Sequence, residues 1–133
     1  MVEFIDIKQV EENEFLIGEN RIIVIDNEII YVEAVGEQTP EIADAIRGQY
    51  KKIMSRFPGK VHQLINLNRA GKNSPEARKL WEEINEYVFT GKVAVFGVHP
   101  VAKVLASFVI GVTNKKDIRF FSTEKEALAW LKA

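Results

Sequence analysis

The fold is decided by two short apolar runs, Val61-His62-Gln63-Leu64-Ile65-Asn66-Leu67 and Lys92-Val93-Ala94-Val95-Phe96-Gly97-Val98. Both runs have the length and the β-branched content of buried strands. Between them, a segment that starts at Pro75 has apolar residues at helical spacing. Two strands joined by a helical crossover make a parallel βαβ unit. We therefore predict parallel neighbouring strands at 61–67 and 92–98.

The N-terminal part of the chain predicts antiparallel strands that join this unit. Two β-branched runs, 21–25 and 29–35, flank Asp26-Asn27-Glu28, which is typical of a β-hairpin. Residues 1–18 are less regular, and we interpret them as an N-terminal arm or edge strand near 2–8 with a second short extended piece at 14–17.

Four helices are predicted from their start signals. These signals are Thr39-Pro40, Ser74-Pro75, His99-Pro100 and the capping box Thr123-Glu124-Lys125-Glu126. The first helix has a buried stripe of Ile42, Ile46, Tyr50, Ile53 and Phe57, and the second has Ala77, Leu80, Trp81, Ile84 and Val88. Trp81 and Trp130 lie at core spacing. With a last strand at 117–121, the chain is an α/β protein with a mixed sheet and about four helices.

Composition limits the kinds of chemistry. At 133 residues, we expect one domain over 1–133, long enough to bury its own core. The sequence has no cysteine, which excludes disulfides, thiol catalysis and cysteine-ligated metal sites. The start of the chain does not resemble a signal peptide, and no apolar run has the ~20 residues of a membrane span. The default expectation is a soluble cytoplasmic protein.

Charge is unevenly distributed along the chain. Residues 1–44 hold twelve acidic and two basic side chains, whereas residues 45–133 hold sixteen basic and seven acidic ones. A nucleic-acid-binding face needs clustered cations and stacking aromatics. Here the cations alternate with acids along the helices, so we expect the two parts to compensate each other in the fold and predict no nucleic-acid partner.

Three local patterns resemble a known fold. They are Leu64-Ile65-Asn66-Leu67 before a polar segment and helix, Val93-Ala94-Val95-Phe96-Gly97 before an apolar helix, and the C-terminal run from Ile118 to Leu131, which contains Phe120, Ser122, Ala127, Trp130 and Leu131. Together with the element order, they resemble the STAS fold (sulfate transporter and anti-sigma factor antagonist), in its SpoIIAA-like branch. The resemblance covers roughly residues 20–133 and implies a fold more strongly than a function.

The resemblance also implies a functional position. Anti-sigma antagonists of this family carry a serine, in an Asp-Ser pair at the start of a helix, that a partner kinase phosphorylates. The corresponding pair here is Asn73-Ser74, without the Asp and with Pro75 following. Ser74 is therefore interpreted first as a helix N-cap and second as a phosphorylation site.

A polar loop at 68–74 is the predicted binding region. Its candidate residues are Asn68, Arg69, Lys72, Asn73 and Ser74, together with His99 from the next strand end. The loop lacks the full phosphate-binding motif, which would need glycine at 66 and Ser or Thr at 73. It does lie at a strand's carboxyl end and a helix N-terminus, where Arg69 or Lys72 could hold an anion. His99 is either a turn residue or a general base, and His62 is expected at a strand edge.

The segment from Val101 to Val112 has nine apolar residues of twelve. A helix that is apolar all round must be covered on its outer side. The residues predicted to form this contact are Val101, Leu105, Phe108, Val109 and Val112. The covering group is a second copy, another protein or an apolar ligand.

We find no convincing nucleophile–base pair, carboxylate pair or ligand cluster, and predict no catalytic residue, metal or cofactor. The favoured function is a non-catalytic, self-associating regulatory module, most simply a homodimer. The alternative is a binding protein for a small apolar or lipid-like ligand, which the likeness of this branch to the CRAL-TRIO lipid-binding fold suggests. A small enzyme with an anion site at 68–74 is the remote alternative.

Overall fold

The computed structural model describes residues 7–87, 89–97 and 117–133, without the side chains of residues 72 and 73. Seven strands in this part of the chain form one sheet in the order β1 to β7. The strands are β1 Ile7–Glu11, β2 Glu14–Ile17, β3 Asn20–Ile25, β4 Ile29–Gln38, β5 Val61–Asn73, β6 Thr90–Phe96 and β7 Ile118–Phe121. The helices are α1 Pro40–Met54, α2 Pro75–Glu86 and α3 Glu124–Lys132.

The sheet is mixed, as predicted. Strands β1 to β4 pair antiparallel, and β4 to β7 pair parallel. The predicted parallel strands at 61–67, 92–98 and 117–121 are thus confirmed, with shifted ends. The N-terminal hairpin belongs to a four-stranded antiparallel meander. Strand β2 matches the extended piece predicted at 14–17, whereas β1 overlaps the edge strand predicted near 2–8 only at residues 7 and 8; residues 2–6 lie outside the described residues.

The turn between β3 and β4 confirms the hairpin signal. Asp26 and Asn27 have φ of 52° and 54°, the left-handed conformation that Asp and Asn tolerate better than most residues. The Glu28 N–H donates to the Ile25 carbonyl at 3.2 Å, closing the turn. This turn sets the register in which Ile25 lies opposite Ile29.

The helices begin where the capping signals predicted. The Thr39 hydroxyl oxygen accepts the Ile42 N–H at 3.2 Å, and the Thr123 hydroxyl oxygen accepts the Glu126 N–H at 3.3 Å. Helix α1 ends at Met54, before Phe57, the last residue of its predicted stripe. The predicted helix from Pro100 to Asn114 lies outside the described residues.

The core has two parts, one on each face of the sheet. The larger part packs α1 and α2 against one face, with Ile46, Tyr50 and Trp81 at its centre. The smaller part packs α3 against the other face through Ala127 and Leu131. Trp81 is buried as predicted. Trp130 is only partly buried. The Lys92 ammonium nitrogen and the Arg119 guanidinium carbon each lie 5.3 Å from the centre of its ring.

Candidate functional site

The predicted loop at 68–74 is largely a strand. Strand β5 continues to Asn73, so the prediction of a polar loop after Leu67 is wrong. The reason lies in β4, which is also long and pairs with the extension: Val35 lies opposite Arg69, and Gln38 opposite Asn73. Backbone hydrogen bonding to a neighbouring strand overrides the low strand preference of Asn, Gly and Lys here.

Two irregularities allow the polar part of β5 after Leu67 to pair with β4. The register with β4 shifts between Glu33 and Val35 and again between Gly36 and Gln38, so β5 carries an extra residue at each place. At the first shift, the Asn68 N–H donates to the Asn66 side-chain oxygen at 2.9 Å. The Asn66 side chain thus accepts a backbone hydrogen bond from the same strand beside the bulge.

The second irregularity brings two backbones close together. A Cβ at Gly71 would lie 3.0 Å from the Gly36 carbonyl carbon and 3.1 Å from its oxygen, tighter than nine in ten real Cβ contacts. Gly36 itself has φ of 72°, in the left-handed region that glycine adopts without strain. The two glycines therefore allow β4 and β5 to stay paired up to the start of the helices.

A buried polar cluster supports this end of the sheet. The Asn20 side-chain oxygen accepts the Val35 N–H at 2.8 Å and the Gln38 side-chain N–H at 3.0 Å. The Gln38 carbonyl in turn accepts the Ser74 N–H at 3.2 Å. The sequence does not mark Asn20 as buried, because a buried amide and an exposed turn amide have the same sequence signature.

Ser74 is the N-cap of α2. Its hydroxyl oxygen accepts the Ala77 N–H at 3.0 Å, and Pro75 occupies the first helical position. This is the capping geometry that the sequence predicted. The hydroxyl oxygen therefore satisfies one of the free N–H groups at the start of α2.

Arg69 pairs with Glu33 on the neighbouring strand. The two side chains are 3.2 Å apart, and the Arg69 side chain is 68% exposed. An exposed pair of this kind contributes little stability, about 0–1 kcal/mol. The guanidinium is already partly neutralised by Glu33 and lies open to solvent on its outer side.

Asn66 connects the strand end to Tyr31. Its side-chain N–H donates to the Tyr31 hydroxyl oxygen at 2.9 Å. Burial raises the pKa of the Tyr31 hydroxyl, and the hydrogen bond from Asn66 works in the opposite direction. Tyr31 is therefore a neutral phenol at physiological pH, held by an amide from β5.

The strand geometry separates the candidate residues. Asn68 and Arg69 lie within β5, which ends at Asn73, and Ser74 follows that strand as the N-cap of α2. The side chains of Lys72 and Asn73 and the whole of His99 lie outside the described residues. So do all five predicted contact residues, Val101, Leu105, Phe108, Val109 and Val112.

The order of the sheet bears on the predicted anion site. In open α/β sheets, ligands bind where the strand order reverses and helices lie on opposite faces. Here the described parallel strands run in sequence order from β4 to β7, and both α1 and α2 pack in the larger core on one face. Between β4 and β6 no reversal opens such a crevice.

His62 has a structural contact in the sheet. Its Nδ1 accepts the Lys92 N–H at 2.9 Å, where the β5–β6 register shifts. A Cβ at Gly91 would lie 2.6 Å from that same nitrogen. The imidazole beside Gly91 thus leaves no room for a side chain at this position.

Within the described ranges, no three His, Asp or Glu side chains gather as a metal site would require. No helix among the same residues is long and apolar enough to cross a membrane.

Comparison with known proteins agrees with this architecture. The model of the SpoIIAA-like family matches residues 29–132. The chain belongs to the SpoIIAA-like family. No curated protein matches its sequence.

Three solved structures resemble this SpoIIAA-like chain. An uncharacterised protein with a SpoIIAA-like fold from Shewanella loihica PV-4 has a TM-score of 0.61 at 18% identity, covering 96% of this chain and 91% of that one. The unphosphorylated anti-sigma factor antagonist SpoIIAA has a TM-score of 0.59 at 14% identity, covering 86% and 98%. Phosphorylated SpoIIAA, a Bacillus cell fate determinant, has a TM-score of 0.56 at 15% identity, covering 84% and 98%. The TM-scores and the coverage show a shared fold.

Proposed function

We propose that this chain is a cytoplasmic, non-catalytic protein-interaction module with a regulatory role. The observation that supports the proposal is that the polar side chains around the start of α2 are held by contacts within the fold. Ser74 caps the helix, and Arg69 is paired with Glu33. Their side chains hold the strand end and the helix start in place, and Asn68 and Glu76 are exposed beside them. Rigidly supported, exposed polar residues of this kind suit recognition of another surface.

The family also supports a role in protein interaction. SpoIIAA is an anti-sigma factor antagonist with an unphosphorylated and a phosphorylated form. In the resemblance, its functional serine corresponds to Ser74. Because Asn73 replaces the usual Asp and Ser74 is a cap, we propose partner binding at this surface without including phosphate transfer.

Site-specific photocrosslinking in the source cells tests the interaction surface. A photoreactive amino acid is placed at Asn68 or at Glu76, and Lys52, exposed on α1, serves as the matched control position. We expect the same protein to be captured from positions 68 and 76 and not from 52. The captured partner, once purified, should bind wild-type chain, and it should bind the Arg69→Glu variant more weakly. Equal capture from all three positions, or from none, would contradict the proposal.

We also propose that the chain self-associates through residues 101–112. The support is the composition of this segment, with nine apolar residues of twelve. A closed two-fold dimer is the commonest way for a soluble domain to cover such a surface. Burying one large apolar side chain contributes about 1.5–3 kcal/mol, so a few on each side can hold a dimer.

Light-scattering chromatography over a range of concentrations tests this second part. We expect a dimer for the wild type and a folded monomer for Phe108→Asp or Val109→Asp, whichever residue faces outward. Lys103→Asp, which changes a residue already polar, is the control and should remain dimeric. A wild-type protein that is monomeric at tens of micromolar would exclude the dimer.

A further inference from the structure

One stretch of the chain carries cations without any acidic residue among them. Residues 45–75 contain seven basic side chains and no acidic one, although the whole chain has a net charge of −1. Four of these cations lie in the last turn of α1 and in the segment that leads to β5, and all four are exposed: Lys51, Lys52, Arg56 and Lys60. In the part of the chain that the structure describes, none of the four forms an ion pair with a carboxylate. The helix dipole accounts for cations in the last turn of α1, but not for those beyond its end.

An exposed aromatic side chain lies beside these cations. Phe89 is 49% exposed, and its carbonyl accepts the Val61 N–H at 2.8 Å. Phe89 therefore lies beside the start of β5, which Lys60 directly precedes. The Phe89 ring centre is 5.5 Å from that of Tyr87, and the Lys51 ammonium nitrogen is 5.4 Å from the centre of the same Tyr87 ring. Phe89 and cations from both α1 and the start of β5 thus belong to one surface.

This combination suits a lipid surface better than a nucleic acid. Among the described residues, three large apolar side chains are exposed, and the two besides Phe89 are Ile7 and Val10 on β1. Single-stranded nucleic acids need several open ring faces on which bases stack, and here the Lys51 ammonium lies over the Tyr87 ring. A membrane interface instead accepts one aromatic ring in its headgroup region, while flexible cations around that ring attract anionic lipids.

We propose that this surface binds a membrane that contains anionic phospholipids, reversibly and without crossing it. Phe89 enters the headgroup region, and the four cations lie against the lipid phosphates. Phe89 lies beside the first residue of β5, whereas Ser74 follows the last residue of this 13-residue strand. The membrane surface and the partner surface at the start of α2 are therefore at opposite ends of β5, and either proposal can fail without the other.

Co-sedimentation of the whole chain with lipid vesicles tests the electrostatic part. Phosphatidylcholine vesicles with about 30% phosphatidylglycerol have a negative surface, and vesicles of phosphatidylcholine alone do not. We expect binding to the anionic vesicles only, and at least about fivefold weaker binding in about 0.5 M than in about 0.1 M salt, because salt screens the attraction. Equal binding to both kinds of vesicle, or no binding to the anionic ones, would overturn the proposal.

A pair of double variants tests whether these particular cations bind the vesicles. Lys51→Gln/Lys60→Gln should weaken binding to anionic vesicles about 20-fold. Lys79→Gln/Lys125→Gln removes the same charge from exposed positions on α2 and α3 and should bind within about twofold of the wild type. An equal loss of binding in the two double variants would show that net charge alone attracts the chain, against the proposal.

Substitutions at Phe89 test the insertion of its ring. Phe89→Ser should weaken binding to anionic vesicles about fivefold, and Val10→Ser, at the similarly exposed position on β1, should leave it unchanged. Phe89→Trp should bind at least as tightly as the wild type, since tryptophan favours the membrane interface. An unchanged affinity in Phe89→Ser, or tighter binding to single-stranded oligothymidylate than to anionic vesicles, would overturn the proposal.

Discussion

The end of β5 and the core between α1 and α2 differ in what their polar groups already contact. At the strand end, Ser74 caps a helix, Arg69 pairs with Glu33 and Asn66 is bonded to Tyr31. In the core between the two helices, the Tyr50 hydroxyl has no hydrogen-bond partner among the described residues. The strand end is rich in polar residues, which sequence motifs emphasise. In the structure, these residues form hydrogen bonds and an ion pair within the fold.

This difference shows that residue type and residue availability are separate properties. Polar residues near a helix start are attractive candidates for binding, but the same residues satisfy the free N–H groups of the helix and the sheet end. A tyrosine in a hydrophobic stripe attracts no attention in the sequence. Only the surrounding structure shows that the hydroxyl of such a tyrosine lacks a hydrogen-bond partner.

The largest expected effect tests the packing of the strand end. Gly71→Ala places a Cβ about 3 Å from the Gly36 backbone, which cannot move as a flexible side chain would. We expect the free energy of unfolding to fall by about 2 kcal/mol, measured by urea denaturation. Gly59→Ala is the control, because nothing lies within 4 Å of its Cβ position. Equal stability of the two variants would mean that β4 and β5 do not approach so closely.

The next effect tests the burial of Tyr50. Its folded-state pKa is raised by burial, so the folded state holds the phenol proton at pH values where the unfolded chain releases it. The associated stability is fully present below pH ~10 and is lost as the pH rises above it. Above pH ~10, the wild type should lose up to about 1.4 kcal/mol per pH unit more than Tyr50→Phe does.

Denaturation series at pH 7 and at several alkaline values measure that slope. At pH 7, Tyr50→Phe should be as stable as the wild type or slightly more stable, because it removes a buried group without a partner. Tyr31→Phe is the comparison, and its alkaline slope should differ less, since Asn66 donates to the Tyr31 hydroxyl. A marked loss of stability in Tyr50→Phe at pH 7 would show that the hydroxyl does have a partner.

The smallest effect tests whether Ser74 is mainly a cap. Ser74→Ala should lower the free energy of unfolding by about 1 kcal/mol, and Thr39→Ala, at the start of α1, should do the same. Ser74→Asp should keep most of the stability, because Asp also caps helices well. If Ser74→Ala leaves stability unchanged but abolishes partner binding, the serine is a recognition residue instead.

Much of the fold could be predicted because local signals and tertiary structure agree. The Asp26-Asn27 turn, the Thr39 and Ser74 caps and the parallel runs at β5 and β6 all have the predicted form. Each depends on neighbours in sequence or on a simple period, which the sequence displays directly. The family resemblance, drawn from the element order and the runs at 64–67, 93–97 and 118–131, is confirmed by the match over residues 29–132.

The candidate site was less predictable because its geometry depends on distant residues. Strand β5 continues past Leu67 only because β4 lies beside it, and Gly71 is required only because Gly36 approaches it. The candidates Asn68, Arg69 and Ser74 were assigned to one loop, and the extended strand spreads them apart. No local pattern marks such a strand, since its residues individually favour turns.

The sequence by itself determined where helices start, where the hairpin turns and which strands run parallel, because these follow from capping chemistry, turn conformation and hydrophobic period. Tertiary structure alone decided which polar groups are already satisfied. Asn20 lies inside a buried cluster with Gln38, and Tyr50 lies inside a helix pair without a partner among the described residues. Hydrogen-bond satisfaction is a property of the surroundings in three dimensions, and a residue's identity does not reveal it.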